Sequence, residues 1–315
     1  MTETLEFDAD TGPVAGDFLV LGGNVFGWTA DEEQSFAVLD GFVEGGGRMI
    51  DTADSYMASI PGMRGGESEE MIGRWMASRG NRGDVRLATK VGRHPELDNL
   101  RGPTIRTAIE NSLRRLGTDH VEVYYAHLDD TETPLEETLE TFDALVREGK
   151  VGSLAASGYT PDRLREALDV SEANGWARYE MFQDHYNLVR RSTFESEVRP
   201  LLAERGVVAL PFYALAQGFL TGKYREAGTG TSVRSGAAER YLDKRGRRIL
   251  AALDALSEKH GAPLAAISLA WLREQPGVGA PVASARTPEQ LPELVAARDV
   301  HLDADDLAAL DAASA

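Results

Sequence analysis

Short apolar runs alternate with helical patterns along the whole chain, and this alternation constrains the fold more than any other feature. Several runs, such as VVALPF at 207–212, are apolar throughout, which is typical of parallel strands covered on both faces. Eight such runs, each followed by a helical pattern, predict an α/β fold of the (β/α)8 TIM barrel type. The predicted strands are Phe18–Leu21, Arg48–Thr52, Val85–Val91, Val121–Leu128, Val151–Ala156, Tyr179–Gln183, Val207–Phe212 and Ala280–Ala283.

A doubly wound sheet with an appended domain is the alternative fold. No Pro/Ser-rich linker or low-complexity tract marks where an appended domain would begin. We therefore expect residues 1–315 to form a single barrel domain.

Threonine–proline pairs predict where three helices begin, because a capping Thr before a Pro is a common helix start. The pairs begin at Thr133, Thr160 and Thr287, and in the first and third a Glu or Gln follows at the position that closes a capping box. A fourth helix carries an apolar stripe from Ile105 to Leu116 and is predicted to end at Gly117.

Composition restricts the class of protein. The 42% hydrophobic content supports a large core, but no run reaches the ~18 apolar residues of a membrane span. The acidic start of the chain does not resemble a secretory leader, so we expect a cytoplasmic protein. A net charge of −18 argues against binding to nucleic acid or to anionic membranes, and any anionic ligand would need a local group of basic residues.

The absence of cysteine excludes thiolate catalysis, and the six histidines include no H-x-H pair, so we expect no metal site. The standard nucleotide fingerprints are also missing. The glycines at 22, 23 and 27 lack the G-x-G-x-x-G spacing, and the segment from Gly218 to Lys223 is one residue short of a P-loop. A dinucleotide bound here would not bind in the Rossmann manner.

Polar side chains stand at the ends of consecutive predicted strands, where a barrel carries its chemistry. Strand two ends in Asp51 with Tyr56 in the loop beyond, strand three carries Lys90, and strand four carries His127. Strands five and six deliver further polar groups, Ser157 and Gln183.

The first four of these residues form a set that can protonate an oxyanion. A free tyrosine, with a pKa of about 10, is a weak acid at neutral pH, and a neighbouring ammonium is expected to lower that pKa. Lys90 would need Asp51 as counter-ion in a half-buried site, and His127 would orient a carbonyl oxygen. We therefore predict Tyr56 as general acid.

The sequence resembles the aldo-keto reductase family, including members related to the potassium-channel beta subunits. The resemblance extends from Leu21 to about Leu294 and lies in the segments DTADSY, GGESEEMIGRW, LATKV, YYAHLDD, GKVGSLAASGY, FQDHYNLVRR, ALAQGFLTGKY and ASARTPEQL. It implies a barrel that reduces an aldehyde or ketone with NADP(H), and a catalytic tetrad of Asp51, Tyr56, Lys90 and His127.

The resemblance also implies the residues that bind the cofactor. Ser157 and Gln183 would hold the nicotinamide carboxamide, Phe212 would stack on its ring, and the segment around Gly218 would cross the pyrophosphate. Arg286 would grip a 2′-phosphate. The full predicted set is Gly22, Asp51, Ser157, Gln183, Phe212, Leu215, Gln217, Gly218, Lys223, Ser284, Arg286 and Gln290.

The sequence departs from the family pattern at the cofactor site. The family's usual Ser-Asn pair is Ser157-Gly158 here, position 294 is Leu, and a single arginine marks the phosphate site. NADP(H) remains the expected cofactor, with NAD(H) as the alternative. A regulatory subunit that binds the cofactor with little turnover is the alternative function.

The substrate is expected to be a small carbonyl compound, and the oligomeric state is not readable. Three loops are predicted to line the mouth: Met57–Gly66, Arg93–Pro103 and the stretch from about Ala214 to Lys244. Apolar residues of the first and third loops suggest an apolar entrance that would suit aromatic or medium-chain carbonyl compounds, whereas Arg93 or the region Arg225–Arg245 would suit an acidic substrate.

Overall fold

A computed structural model describes residues 14–225, 236, 238 and 240–315. Within these residues, eight parallel strands form one curved sheet, which confirms the predicted barrel fold. Each strand falls in or beside its predicted run, and most are shorter. The strands are β1 Val20–Gly22, β2 Met49–Asp51, β3 Arg86–Val91, β4 Val121–Ala126, β5 Val151–Ser157, β6 Tyr179–Gln183, β7 Val208–Ala209 and β8 Val282–Ala283.

The strand order closes the sheet on itself. Strands β1 to β7 pair with their neighbours in chain order, and β8 pairs with β1. The gap between β7 and β8 is bridged by backbone hydrogen bonds from Gly279 N to Ala209 O at 3.0 Å and from Val282 N to Pro211 O at 2.8 Å. Closure brings the carboxyl ends of all eight strands to one rim.

Helices follow the strands and cover the outside of the barrel. The described α-helices are α1 Glu32–Glu44, α2 Glu67–Arg79, α3 Gly102–Leu116, α4 Leu135–Arg147, α5 Pro161–Asn174, α6 Arg199–Arg205, α7 Lys244–His260, α8 Leu264–Arg273, α9 Leu291–Val295 and α10 Ala304–Ser314. Helix α3 carries the predicted stripe and ends at Gly117 with φ of 68°. None of the described helices combines the length and apolar character required to cross a bilayer.

The predicted helix caps are only partly confirmed. The Thr160 side chain accepts a hydrogen bond from Arg163 N and caps α5 as expected. The cap at Thr133 is wrong, because its hydroxyl donates to Asp130 at 2.5 Å and α4 begins after Pro134. The capping box at Thr287 is also wrong, because the Thr287 side chain makes no cap bond to the backbone.

The apolar core has two separate parts. A large cluster lies between the sheet and the helices and includes Trp75, Phe142 and Trp271. A smaller cluster fills the inside of the barrel, and its buried members are Val14, Val20, Met49, Ala88, Val123, Tyr125, Ala155, Met181, Leu210, Ala280 and Val282. This interior packing lies beneath the rim and supports it.

Candidate active site

The polar rim follows from strand alternation. Side chains two residues apart on a strand point to the same side, so the residue two positions after an interior core residue also faces inward. The interior core residues Val20, Met49, Ala88, Tyr125, Ala155, Met181, Leu210 and Val282 are followed in this way by Gly22, Asp51, Lys90, His127, Ser157, Gln183, Phe212 and Ser284. All of the second set except Lys90 line a cavity of about 540 Å³.

Lys90 lies beneath the cavity and joins the predicted tetrad. It is fully buried, and its Nζ forms an ion pair with Asp51 Oδ1. The same Nζ donates to the Tyr56 hydroxyl at 2.8 Å and to the Thr52 carbonyl at 2.7 Å. The Tyr56 hydroxyl in turn donates to Asp51 Oδ1 at 2.9 Å. The structure therefore brings these three side chains together.

Gln183 has a contact that the sequence did not indicate. Its Nε2 donates to Asp51 Oδ2 at 3.0 Å, so both carboxylate oxygens of Asp51 have partners. Ser157 lies at the end of the neighbouring strand, paired in register with Gln183. Ser157 and Gln183, which are expected to hold a carboxamide, thus lie on neighbouring strands, and the hydrogen bond to Asp51 holds Gln183 in place.

The pKa of Tyr56 is shifted in the direction opposite to the one expected from the sequence. Burial raises the pKa of Tyr56 well above its ordinary value of 10, and the negative charge of Asp51 raises it further. Burial lowers the pKa of Lys90, while Asp51 opposes that shift. Because burial disfavours the phenolate and Asp51 contacts the phenol as closely as Lys90 does, the free protein keeps Tyr56 protonated, which is the state a proton donor requires.

His127 is held neutral beside Tyr56. Burial lowers its pKa well below 6.5, and the positive charges of Lys90 and Arg93 lower it further. Its Nδ1 lies 3.3 Å from Ser55 Oγ, and its ring meets the Tyr56 ring edge-on at a centroid distance of 6.1 Å. When Nδ1 accepts the Ser55 hydroxyl, the ring proton is on Nε2 and can be donated.

All the predicted cofactor residues line the same cavity as Asp51, Tyr56 and His127. They are Gly22, Asp51, Ser157, Gln183, Phe212, Leu215, Gln217, Gly218, Lys223, Ser284, Arg286 and Gln290. Between residues 213 and 218, the non-glycine residues Tyr213, Ala216 and Gln217 adopt positive φ angles of 51°, 47° and 58°. Backbone strain of this kind is concentrated at ligand sites, where the surrounding structure enforces it.

The end of the cavity beside β8 carries opposite charges. Arg286 is exposed, and its backbone N donates to the Gln290 side chain at 3.0 Å. Glu293 lines the same end. Ser284 Oγ donates to Asn24 Oδ1 at 2.9 Å across the junction of β1 and β8. This end can therefore bind an anion through Arg286. The carboxylate of Glu293 would repel further negative charge on the same ligand.

The predicted mouth loops contribute unequally. Arg93 of the second loop lines the cavity, as does Tyr224 of the third. The prediction for the first loop is wrong, since the residues found to line the cavity include none from Met57–Gly66. Much of the third stretch, 226–235 with 237 and 239, falls outside the described residues. The described histidine, aspartate and glutamate side chains form no cluster of three or more that is arranged to hold a metal ion.

Comparison with known sequences decides the family. The sequence model of the aldo/keto reductase family matches residues 18–315. The chain belongs to this family. It is therefore an oxidoreductase of the class that acts on small-molecule carbonyl compounds, generally with a nicotinamide cofactor.

Related aldo/keto reductase sequences come from bacteria and fungi. The uncharacterized oxidoreductase YrpG of Bacillus subtilis is 34% identical over 305 residues, which cover 93% of this chain and 90% of the relative. The norsolorinic acid reductase stcV of Emericella nidulans is 31% identical over 306 residues, covering 92% and 76%. Protein tas of Escherichia coli is 29% identical over 323 residues, covering 93% of each.

Several residues in this aldo/keto reductase site were missed by sequence reasoning. Asn24, Trp28, Tyr213 and Glu293 line the cavity. Ser55 contacts His127 and lies between two residues that the sequence analysis did consider. The alternation rule could have found Ser284 independently, but the loop residues carry no such periodic signal.

Proposed function

We propose that this protein reduces an aldehyde or ketone to an alcohol with NADPH, and that Tyr56 is the general acid. The observation that carries the proposal is the shared hydroxyl of Tyr56, which contacts Lys90 Nζ at 2.8 Å and Asp51 Oδ1 at 2.9 Å. A cavity lined by the same tyrosine opens directly above this group. When bound, the nicotinamide cofactor supplies the hydride.

The side chains of the tetrad then have distinct tasks. His127, held neutral, donates from Nε2 to the carbonyl oxygen of the substrate and orients it. The Tyr56 hydroxyl turns from Asp51 toward that oxygen and transfers its proton as negative charge develops there. Lys90 remains 2.8 Å from the phenolate oxygen and stabilises its charge, while Asp51 neutralises the buried ammonium.

The composition of the cavity lining supports a dinucleotide cofactor. The lining combines Asp51, Tyr56 and His127 with Ser157 and Gln183, the segment from Tyr213 to Gly218 with its positive φ angles, and the cation Arg286. Arg286 supports NADP(H) over NAD(H), because a guanidinium can bind a 2′-phosphate with two parallel hydrogen bonds. The stcV relative is named as a reductase of norsolorinic acid, which agrees with a reductive direction.

Turnover of benzaldehyde with NADPH, with and without Tyr56, tests this function. We expect wild-type turnover, and we expect Tyr56→Phe to reduce kcat by about 10²- to 10⁴-fold, the range for loss of general acid catalysis. NADPH binding, followed by quenching of protein fluorescence, should be retained. Tyr159→Phe is a matched control, because it removes a buried hydroxyl that lies outside the cavity lining.

Two outcomes would contradict the proposal. Turnover that survives Tyr56→Phe would exclude this tyrosine as the acid. Tight NADPH binding by the wild type with no reduction of any aldehyde in a panel would favour a cofactor-binding regulatory subunit.

A further inference from the structure

Arg93 holds a fixed position beside the tetrad. It lies two residues after β3 and lines the cavity together with Tyr56 and His127. Its Nε donates to the backbone carbonyl of His127 at 2.7 Å. Because this bond joins the loop after β3 to the end of β4, the guanidinium is tied to the residue proposed to orient the carbonyl.

The Arg93 side chain also reaches the turn after β5. Gly158 follows β5 with φ of +75°, and a Cβ atom placed there would lie 3.4 Å from Arg93 Nη2, an ordinary van der Waals contact. The guanidinium therefore stands above the ends of β4 and β5, on the tetrad side of the cavity.

Within residues 14–225, 236, 238 and 240–315, Arg93 has no neighbouring acid that neutralises its charge. Among the described residues, no carboxylate forms an ion pair with Arg93, and no hydrogen bond of its two terminal NH2 groups is found. The carboxylates that follow β4 are engaged elsewhere: Asp129 pairs with Arg163, and Asp130 accepts from Leu100 N and Thr133. Of the acids lining the cavity, Asp51 is paired with Lys90, and Glu293 follows β8 together with Arg286.

The electrostatic setting gives this single cation a selective role. The chain carries a net charge of −18, which disfavours anions unless a local cation holds them. The positive charge of Arg93 does reach the reaction centre, since it contributes to the lowered pKa of His127. One guanidinium whose two terminal NH2 groups have no partner among the described residues matches the two oxygens of a carboxylate.

We propose that Arg93 binds a carboxylate of the substrate, so that the preferred substrates are aldehydes or ketones that carry a carboxylate a few bonds from the carbonyl group. This inference rests on the proposed reductase function. It assigns to Arg93 the discrimination between charged and neutral carbonyl compounds, a role separate from the tetrad and from the cofactor residues.

Matched pairs of aromatic aldehydes test the assignment. The substrates are 3- and 4-carboxybenzaldehyde, each compared with its methyl ester, which has the same carbonyl but no charge. We expect wild-type kcat/KM to favour at least one acid over its ester by about 10-fold or more. In Arg93→Gln, the ratio of kcat/KM for that acid to kcat/KM for its ester should fall by about 10- to 100-fold, the range for a lost charged hydrogen bond. The ratio is the measure because loss of the bond to the His127 carbonyl affects acid and ester alike.

Two further variants make the test specific. Arg93→Lys should keep part of the preference, because it retains the charge but not the two-pronged geometry. Arg101→Gln removes the same charge from an exposed position on the same loop and should leave the preference unchanged.

The inference would be overturned by equal kcat/KM values for both acids and their esters in the wild type. It would also be overturned if Arg93→Gln lowered kcat/KM for acid and ester equally, because Arg93 would then have a structural role. If Arg93→Gln instead raised KM for NADPH, Arg93 would belong to the cofactor site and the inference would likewise fail. Turnover of the esters shows that the reductase function holds even where the carboxylate preference fails, so the two failures are distinguishable.

Discussion

The floor and the outer parts of the cavity are built on different electrostatic principles. At the floor, Asp51 and Lys90 are buried and every charge meets an opposite charge or a hydrogen-bond partner. Farther out, Arg93 and Arg286 are exposed, and their contacts are to the backbone or to a neutral amide. The floor therefore forms one unit of mutually paired charges, whereas the two outer cations lie outside that pairing and Arg93 touches the tetrad only through the backbone carbonyl of His127.

This difference predicts how each region responds to substitution. Removing one partner of a buried pair leaves an uncompensated charge in a low-dielectric environment, which affects both stability and chemistry. Removing an exposed cation weakens the binding of one ligand and leaves the fold unchanged, because water screens the remaining charges.

The largest effect is expected for Lys90→Met. Loss of the ammonium removes the charge that stabilises the Tyr56 phenolate and leaves Asp51 without a counter-ion. We expect kcat to fall by at least ~100-fold, and the free energy of unfolding to fall by about 3–5 kcal/mol. Steady-state kinetics and urea denaturation measure the two losses.

Lys150→Met is the matched control for Lys90→Met. Lys150 pairs with Glu110 and Glu148 at the surface, so its loss should cost less than about 1 kcal/mol and leave kcat unchanged. A loss of only a few-fold in the rate of Lys90→Met would mean that Tyr56 does not depend on the lysine.

A smaller, pH-dependent effect is expected for Asp54, which lies behind the floor. Asp54 is buried near Glu69, Arg115 and Lys90, and Asp51 completes a group of three acids and two cations. Burial raises the pKa of Asp54 from 3.8 to about 8, and the negative charge of Glu69 adds to the rise. The excess acid is thus held protonated at neutral pH.

The sign of the resulting stability change is fixed by proton binding. Between pH 4 and pH 8 the folded protein holds a proton on Asp54 that the unfolded chain releases, so raising the pH across this window destabilises the fold. Asp54→Asn removes this dependence. Relative to wild type, the variant should gain on the order of a few kcal/mol between pH 5 and pH 8.5.

Denaturation of Asp54→Asn and wild type at the two pH values measures this difference. Other titrating groups, such as Asp17, cancel because they are present in both proteins. An exposed substitution, Asp98→Asn, should show no such change between the two pH values. If the free energies of unfolding of Asp54→Asn and wild type differed by the same amount at both pH values, Asp54 would not be protonated in the folded protein at neutral pH.

The smallest effect is expected for Arg286→Gln, in the part of the cavity lining that follows β8. Loss of this exposed cation should raise the Kd for NADPH by about 3- to 10-fold, since one screened charge contact is removed. The Kd for NADH should stay unchanged, and the wild-type preference for NADPH should weaken as salt is added. Fluorescence titration of wild type and variant with NADPH and with NADH measures the effect, and Arg101→Gln is the control. If Arg286→Gln weakened NADH binding as much as NADPH binding, Arg286 would not contact the 2′-phosphate.

Much of the site could be predicted from the sequence because barrel strands carry a period of two residues. Met49 and Asp51, or Tyr125 and His127, are spaced so that an interior core residue is followed by a rim residue. Once eight strands are placed, their carboxyl ends must meet at one rim, and this brings Asp51, Lys90 and His127 together. The expected residues do lie in one region for this reason.

Other features could not be read from the sequence, because they depend on distances between segments far apart in the chain. The contact from Gln183 to Asp51 spans 132 positions, and that from Ser284 to Asn24 spans 260. The pKa direction of Tyr56 was missed for a similar reason. The sequence identifies Lys90 and Asp51 as neighbours, but it does not show how strongly burial disfavours the phenolate, nor that the carboxylate contacts the phenol as closely as the ammonium does.

The sequence by itself determined the alternation of strands and helices, and with it the barrel and the row of polar residues at strand ends. The tertiary structure alone decided which of those residues are joined by hydrogen bonds and which cation lacks an acidic partner among the described residues. Periodicity is a local property of the chain, whereas burial and charge balance are set by every segment that packs around a group.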